Sequence, residues 1–381
     1  MVRSFGAVAV LLLIAQSAAP PQPAAPLQAR VKSYLDEWRA SSTFPGAAVG
    51  IVLNDGSSFA VTTGVSDRAA QTPIKADDLF MAGSTGKTFF AAVAVQLIEA
   101  GRLDLDAPIS KYLGSRPWFD RLPNARDITV RMLMTHTSGL VRYEMNPKFT
   151  ADLRAQPDKA WTPDEEIAYL FDAPPPFAAG QGWDYSDTNY IVLGMIMEQI
   201  TGTKVYDEVR TRFLEPLKLT RVVPSDSRRI PGLIQGYAGA RDPLGLPDQV
   251  ISNGLFVVNP QFEWTGGGYA TSPLDLARWG HALYTGRAIG ASGRKLMIDA
   301  AVPARLGPET RYGLGVIVRA ATPVGPAWGH SGFFPGYVTE LIHLPGTGVT
   351  LAIQVNTSDG RATGTRRPLR VLYDLAAMVT P

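Results

Sequence analysis

The chain has 381 residues, of which 45% are hydrophobic and 18% charged, a composition that folds around a sizeable core and excludes disorder for the bulk of the chain. Lys and Arg total 36 against 34 Asp and Glu, and a net charge of +2 excludes the basic excess of a nucleic-acid binder. The absence of cysteine removes disulfides, iron–sulfur clusters, cysteine-ligated zinc and a thiol nucleophile together, and the four histidines (His136, His281, His330, His343) stand in no metal-ligand spacing, so neither metal nor cofactor is expected.

Arg3, an apolar run from Ala7 to Ala15 and the small residues Ser17-Ala18-Ala19 predict a secretory signal over residues 1–19. A Pro/Ala-rich leader covers 20–26. The apolar run is too short to span a bilayer, and no later stretch approaches that length. The expectation is an exported protein, periplasmic or secreted, without a membrane span after signal cleavage. Residues 27–381 show no linker and no repeat, and are expected to form a single domain.

A helix is predicted over Leu27–Ala40. Strands follow at Ala47–Leu53 and Phe59–Thr63, joined by the turn Asn54-Asp55-Gly56. A strong helix runs from Ser84 to Ala100 and is closed by Gly101. The stretch from about 103 to 219 reads as helices broken by Pro and Gly, including Ile191–Thr201 and Val205–Leu214, within a helical insertion of about 103–264. Another helix is predicted over Pro273–Tyr284, strands at Tyr312–Val318, Tyr337–His343 and Val349–Val355, and a last helix at Leu369–Met378. Strands at both ends and helices between them predict an α+β fold. One antiparallel sheet is drawn from both chain ends and flanked by helices, with residues 103–264 inserted.

Three elements carry chemistry. Ser84-Thr85-Gly86-Lys87 opens the long helix, and residues three apart share a helix face, so hydroxyl and amine can meet. A serine needs a base to become a nucleophile, and a lysine serves only if desolvation or nearby positive charge lowers its pKa. The following run, Thr88-Phe89-Phe90-Ala91-Ala92-Val93-Ala94-Val95, is apolar nearly all round, so Lys87 is expected to be buried. Ser292-Gly293-Arg294-Lys295 repeats the spacing in a segment that looks exposed, which shows how little the spacing alone means.

Tyr185-Ser186-Asp187 precedes the helix near Ile191. A tyrosine near a lysine can relay a proton, while Asp187 and Thr188 are also ordinary helix-capping types. Gly329-His330-Ser331-Gly332-Phe333 fails as a nucleophile elbow, because Phe333 replaces the final glycine and no acid-then-histidine order follows. It reads better as a strand with His330 and Gly332 on one wall of a site, the glycine admitting substrate backbone and the next amide serving an oxyanion.

In this order and spacing, Ser84-x-x-Lys87, Tyr185-Ser186-Asp187 and His330-Ser331-Gly332 resemble the penicillin-recognising serine hydrolases. The likeness is to the class C β-lactamase-like branch, which includes DD-carboxypeptidases, D-aminopeptidases and carboxylesterases. Ile128–Leu140 and Gly266–Pro273 are similar to two further stretches of that family. The resemblance implies the serine β-lactamase/DD-peptidase-like fold and a catalytic domain from residue 27 onward. It implies Ser84 as the acylated nucleophile, Lys87 as its proton acceptor and Tyr185 as an assistant. The amides of Ser84 and Phe333 would bind the oxyanion, and His330, Ser331, Gly332 and Asp187 would meet substrate. His330 stands where many β-lactamases have lysine. Asp187 stands where the family often has Asn, and an ionised Asp only accepts hydrogen bonds, which points to a substrate N–H or ammonium group. The implied activity is an acyl-enzyme hydrolase for an ester, peptide or D-amino-acid amide. A β-lactamase or penicillin-binding DD-carboxypeptidase is the alternative, and a non-catalytic binding protein of the same fold a further one. The expected partner is a small-molecule or peptide substrate; no oligomeric state is read from the sequence. His136 is expected to order a loop of the helical region. Trp183, Trp264, Trp328, Phe333 and Phe334 either line a cleft or pack structurally.

Overall fold

The computed structural model describes Ala25–Thr380; residues 1–24, with the expected signal and most of the leader, lie outside the described residues. The first helix, α1, runs Ala25–Ala40 and accommodates Pro26 in its first turn, where a missing N–H costs no hydrogen bond. Strands β1 (Gly46–Val52) and β2 (Ser58–Asp67) form a hairpin whose turn places Gly56 at φ 82°. A short β3 (Thr72–Pro73) edges β2. After a long excursion the chain returns as β4 (Val302–Pro303), β5 (Thr310–Tyr312), β6 (Ile317–Arg319), β7 (Ala327–Phe334), β8 (Tyr337–Leu344) and β9 (Val349–Val355). The order across the nine-stranded sheet is β3-β2-β1-β9-β8-β7-β6-β5-β4, antiparallel throughout. The β1–β9 pair, with Val49 opposite Ile353, joins the two chain ends in the middle of the sheet.

Both β1 and β9 are buried along their whole length because helices cover both faces. On one face lie α1 and the last helix, α5 (Pro368–Val379), which bury Val31, Leu35, Trp38, Val371, Leu372 and Leu375 against the sheet. On the other lie α2 (Lys87–Glu99) and α4 (Pro273–Tyr284). The start of α4 sits so close to β1 that a methyl on Gly50 would meet the Pro273 carbonyl oxygen at 2.1 Å. Phe89 of α2 stacks on Trp279 of α4 with centroids 4.2 Å apart, and Trp279 Nε1 donates to Thr88 Oγ1 at 2.8 Å. Each such buried ring is worth about 2–3 kcal/mol of removed apolar surface.

Three expectations are corrected. Tyr312–Val318 is not one strand: Gly315 at φ 73° and the preceding Gly313-Leu314 fold it into the β5–β6 hairpin. Ser84 does not stand in the first α-helical turn but in a 3-10 turn, Gly83–Gly86, that runs into α2. The stretch 103–264 is also not purely helical. Val222–Pro224 joins Phe80–Met81 and Tyr269–Thr271 in a small sheet, and Ile251–Ser252 pairs with Leu255–Phe256. No described helix is long and apolar enough to cross a membrane.

Candidate active site

The site forms where the 3-10 turn at Ser84, the entry to helix α3 (Thr188–Thr201), strand β7 and a Gly-rich loop before α4 converge. Three glycines make the convergence possible. Gly83 adopts φ 51°, and a methyl on it would meet the Phe333 carbonyl oxygen at 2.4 Å and the Phe333 nitrogen at 2.8 Å. A methyl on Gly86 would lie 1.7 Å from the Gly267 carbonyl oxygen. One on Gly332 would lie 2.0 Å from the Ala82 carbonyl oxygen and 2.8 Å from Thr85 Oγ1. The last contact corrects an expectation: the room beside Gly332 is filled by the turn that carries Ser84, not left for substrate backbone. The Phe333 backbone therefore runs directly beside the serine turn.

Lys87 is fully buried, and its Nζ donates to Ser84 Oγ at 3.0 Å. Nζ also donates to Asp187 Oδ1 and to the Gly266 carbonyl. Asp187 occupies the N-cap position of α3, yet its carboxylate makes no capping bond and turns to the lysine instead. Its other oxygen faces Arg142 Nη2 at 3.6 Å. Burial, the largest single influence, would lower the Lys87 pKa, but the charge and hydrogen bonds of Asp187 and Tyr185 together outweigh it and hold the amine up to about 12. Burial would likewise raise Asp187, and Lys87 with Arg142 hold it well below the usual carboxylate range instead. The lowered pKa that a lysine base requires is thus absent from the free protein, where the ion pair with Asp187 favours the ammonium form of Lys87.

Tyr185 packs at a tilt of 37° against His136 with ring centroids 4.2 Å apart, and Lys87 Nζ lies 4.9 Å from the Tyr185 ring centroid. The buried Tyr185 hydroxyl makes no hydrogen bond of full geometry, although Lys87 and Ser84 stand near enough to pull on its proton. Burial keeps it a phenol rather than a phenolate, and its pKa lies above the ordinary tyrosine value. His136 is buried with φ 60°, and its Nδ1 accepts from Ser186 N at 3.3 Å and faces Asn189 Nδ2 at 3.0 Å. Its ring thereby fixes the backbone that presents Tyr185 and Asp187.

His330 Nδ1 lies 2.7 Å from the Ser331 carbonyl, so this nitrogen carries the proton, and Nε2 accepts from the Tyr312 hydroxyl at 2.8 Å. Burial and the nearby Lys87 charge push the ring down to about 3, so it is neutral. Ser331 is a second correction. Strand alternation turns it to the opposite face from His330, where its hydroxyl donates to Glu340 at 2.6 Å and accepts from Arg319 at 3.3 Å. It does not reach the serine site. The second Ser-x-x-Lys is on the surface as expected: Ser292 binds Glu99 and Lys295 pairs with Asp299.

Three charged residues at the site were not singled out in the sequence. Arg142 pairs with Glu144 at 2.5 Å, and Glu144 Oε2 is buried without a donor. Burial and the neighbouring Asp187 push Glu144 up to about 8 despite Arg142. Glu263, also pushed up to about 8 by burial, accepts from Gly268 N at 3.1 Å and braces the Gly266–Gly268 loop whose carbonyl holds Lys87. The only sequence signal was position: Arg142 and Glu144 follow the Ile128–Leu140 stretch, and Glu263 precedes the glycines. Ser84, Arg142, Glu144, Asp187 and Glu263 share a cavity of about 60 Å³, with the exposed Met145 and Phe333 and the buried Phe334 at its wall. Larger cavities exist, and one of about 1030 Å³ is lined by Trp161, Tyr206 and Trp264 and does not include Ser84. Volume is a poor guide here; the chemistry sits in the small one. Trp328 packs with Tyr284 and His343 instead.

Residues 27–375 match the Beta-lactamase family. The chain belongs to that family. Penicillin-binding protein 4 of Amycolatopsis lactamdurans is 26% identical over 344 residues, 84% of this chain and 83% of that protein. Esterase EstB of Burkholderia gladioli is 31% identical over 207 residues, 51% of this chain and 50% of the esterase, so the chain spans about half the length of that relative. The solved D-stereospecific amidohydrolase from Streptomyces sp. superposes with a TM-score of 0.74 at 28% identity, covering 88% of this chain and 97% of its own. The chain has the penicillin-recognising fold and is a serine hydrolase.

Proposed function

We propose that the protein is an exported, single-domain hydrolase that forms an acyl-enzyme on Ser84 and acts on a small ester or amide, foremost an amino-acid amide. The observation that carries this reading is the buried Lys87 Nζ 3.0 Å from Ser84 Oγ, with the Phe333 backbone alongside. In the proposed sequence Ser84 Oγ attacks the carbonyl carbon as its proton passes to neutral Lys87. The developing oxyanion accepts from the Ser84 and Phe333 amides. Tyr185, as a phenol, passes a proton to the leaving group and is refilled from Lys87. Water then cleaves the ester on Ser84 by the reverse relay.

Two features favour an amine-bearing substrate over a β-lactam. The cavity joins the Asp187 carboxylate and the carboxyl groups of Glu144 and Glu263, all hydrogen-bond acceptors, to an apolar rim of Met145 and Phe333, which suits an amine-bearing group beside an apolar one. Neutral His330 offers no cation to the carboxylate that a penicillin carries, and the cavity's Arg142 is already paired with Glu144 and Asp187. The likeness to a D-stereospecific amidohydrolase supports the same class. The test is a rate panel of D- and L-phenylalanine amide, a p-nitrophenyl ester and benzylpenicillin, with Ser84→Ala beside the parent. Ester and amide turnover by the parent alone supports the proposal; turnover of benzylpenicillin alone would replace it with the β-lactamase reading.

A further inference from the structure

Resting on the acyl-enzyme reading above, we propose that Asp187 is a specificity switch: it holds Lys87 protonated in the free enzyme and yields the lysine as a base only when a substrate brings its own positive charge beside the scissile carbonyl. The geometry is that of a saturated ammonium. Nζ has three acceptors, Ser84 Oγ, Asp187 Oδ1 and the Gly266 carbonyl, and no exposure to water. An ammonium in this cage gives all three hydrogens away and has no lone pair for the Ser84 proton. The neutral amine fits the same cage, with two hydrogens on Asp187 and Gly266 and its lone pair on the Ser84 hydroxyl. Which form is present is set by charge.

The groups that face the lysine are few. Tyr185 and Tyr190 present ring faces to it, 4.9 Å and 5.6 Å from Nζ to centroid. His136 and His330 are both driven toward the neutral form by burial. Glu263 and Glu144, pushed up to about 8, are mainly protonated at neutral pH. Arg142 lies on the far oxygen of Asp187. The one full anion touching Lys87 is therefore Asp187. A neutral substrate leaves this pairing as it is. A cationic substrate places a further positive charge, beyond those of Lys87 and Arg142, against the carboxylate and close to the lysine. The balance is one proton: Lys87 releases it to solvent through the cavity mouth, where Ser84 is half-buried, so the cation's arrival leaves the charge of the cluster unchanged. The freed lone pair then takes the Ser84 proton as the Oγ–carbon bond forms. A unit charge about 5 Å from Nζ, at an effective dielectric of about 20, raises the neutral fraction on the order of a hundredfold.

The experiment pairs p-nitrophenyl phenylalaninate with p-nitrophenyl 3-phenylpropanoate, the same ester without the ammonium, on the parent and on Asp187→Asn from pH 6 to 9.5. In the parent, kcat/KM should favour the ammonium ester on the order of a hundredfold at pH 6, where its α-amine keeps its proton. The rate for the neutral ester should still climb with pH at the top of the range. In Asp187→Asn the neutral ester should gain at least about tenfold, the preference should fall below about tenfold, and the acid limb of the neutral-ester profile should move down by at least about one pH unit. A preference in the parent below about threefold would overturn the proposal without any variant. So would an Asp187→Asn enzyme that loses activity on both esters with the profile unmoved, the mark of a merely structural residue. The hydrolase reading is tested apart from this: if Ser84 acylates with either ester and the preference is absent, only the switch fails, and if Ser84 never acylates both fall.

Discussion

Replacing Glu263 by Gln should stabilise the protein, and more so the higher the pH. Glu263 is 5% exposed, and burial first, with the nearby Asp187 charge added, raises its carboxyl from 4.5 to about 8. Between those values the folded protein keeps a proton that the unfolded chain has lost. For a group raised on folding, the contribution is fully present below 4.5 and is lost as pH rises through 8. With 1.36 kcal/mol per unit, the ionisable carboxyl costs the fold about 1 kcal/mol at pH 5 and about 4 kcal/mol at pH 7.5. Gln removes that cost and keeps an oxygen for the Gly268 N–H, which Glu263 now binds at 3.1 Å. Glu144 and Glu166, raised in the same way, remain in both proteins and cancel in the difference. The assay is urea unfolding of parent and Glu263→Gln at pH 5, 7.5 and 8.5. A gain below about 1 kcal/mol at pH 5 that grows by about 3 kcal/mol at pH 7.5 is expected. A difference that does not change with pH, or a loss at every pH, would refute the reasoning.

Other outcomes follow from the packing. Gly332→Ala forces a methyl against the Ala82 carbonyl and drives β7 from the serine turn. It should cost about 1–3 kcal/mol in stability and at least about tenfold in kcat, seen by thermal melting and ester turnover. Ser331→Ala, on the far face of β7 with Glu340 and Arg319, should lower stability by about 1–3 kcal/mol and leave kcat/KM within about twofold.

Much of the fold was legible because its signals are local. Helix α4 was read at Pro273–Tyr284, where the structure has it, with the Ser272 hydroxyl accepting from Asp275 N at its start. The β1–β2 turn was marked by Asn54-Asp55-Gly56. The Tyr312–Val318 strand misread came from judging apolar content without weighing Gly313 and Gly315. At the site, the Ser84–Lys87 meeting was legible from one helical interval. The hold of Asp187 on Lys87 was not, because at an N-cap position an aspartate has an obvious local role, and only the packing of α3 against the serine turn turns it away. Arg142, Glu144 and Glu263 carried no pattern at all: single charges scattered over a hundred and more positions become a cluster only when the inserted stretch folds. Gly332 was read as room for substrate backbone, and the structure fills that room with the serine turn.

The central claim is that Ser84 becomes acylated. The most direct measurement is intact-protein mass after mixing with an activated ester in acid-quenched time points, for the parent and Ser84→Ala, with the labelled peptide sequenced. The account predicts one acyl adduct per chain on the peptide holding Ser84, and none on Ser84→Ala. An adduct that persists in Ser84→Ala, or turnover of the ester by that variant at the parent's rate, would contradict it.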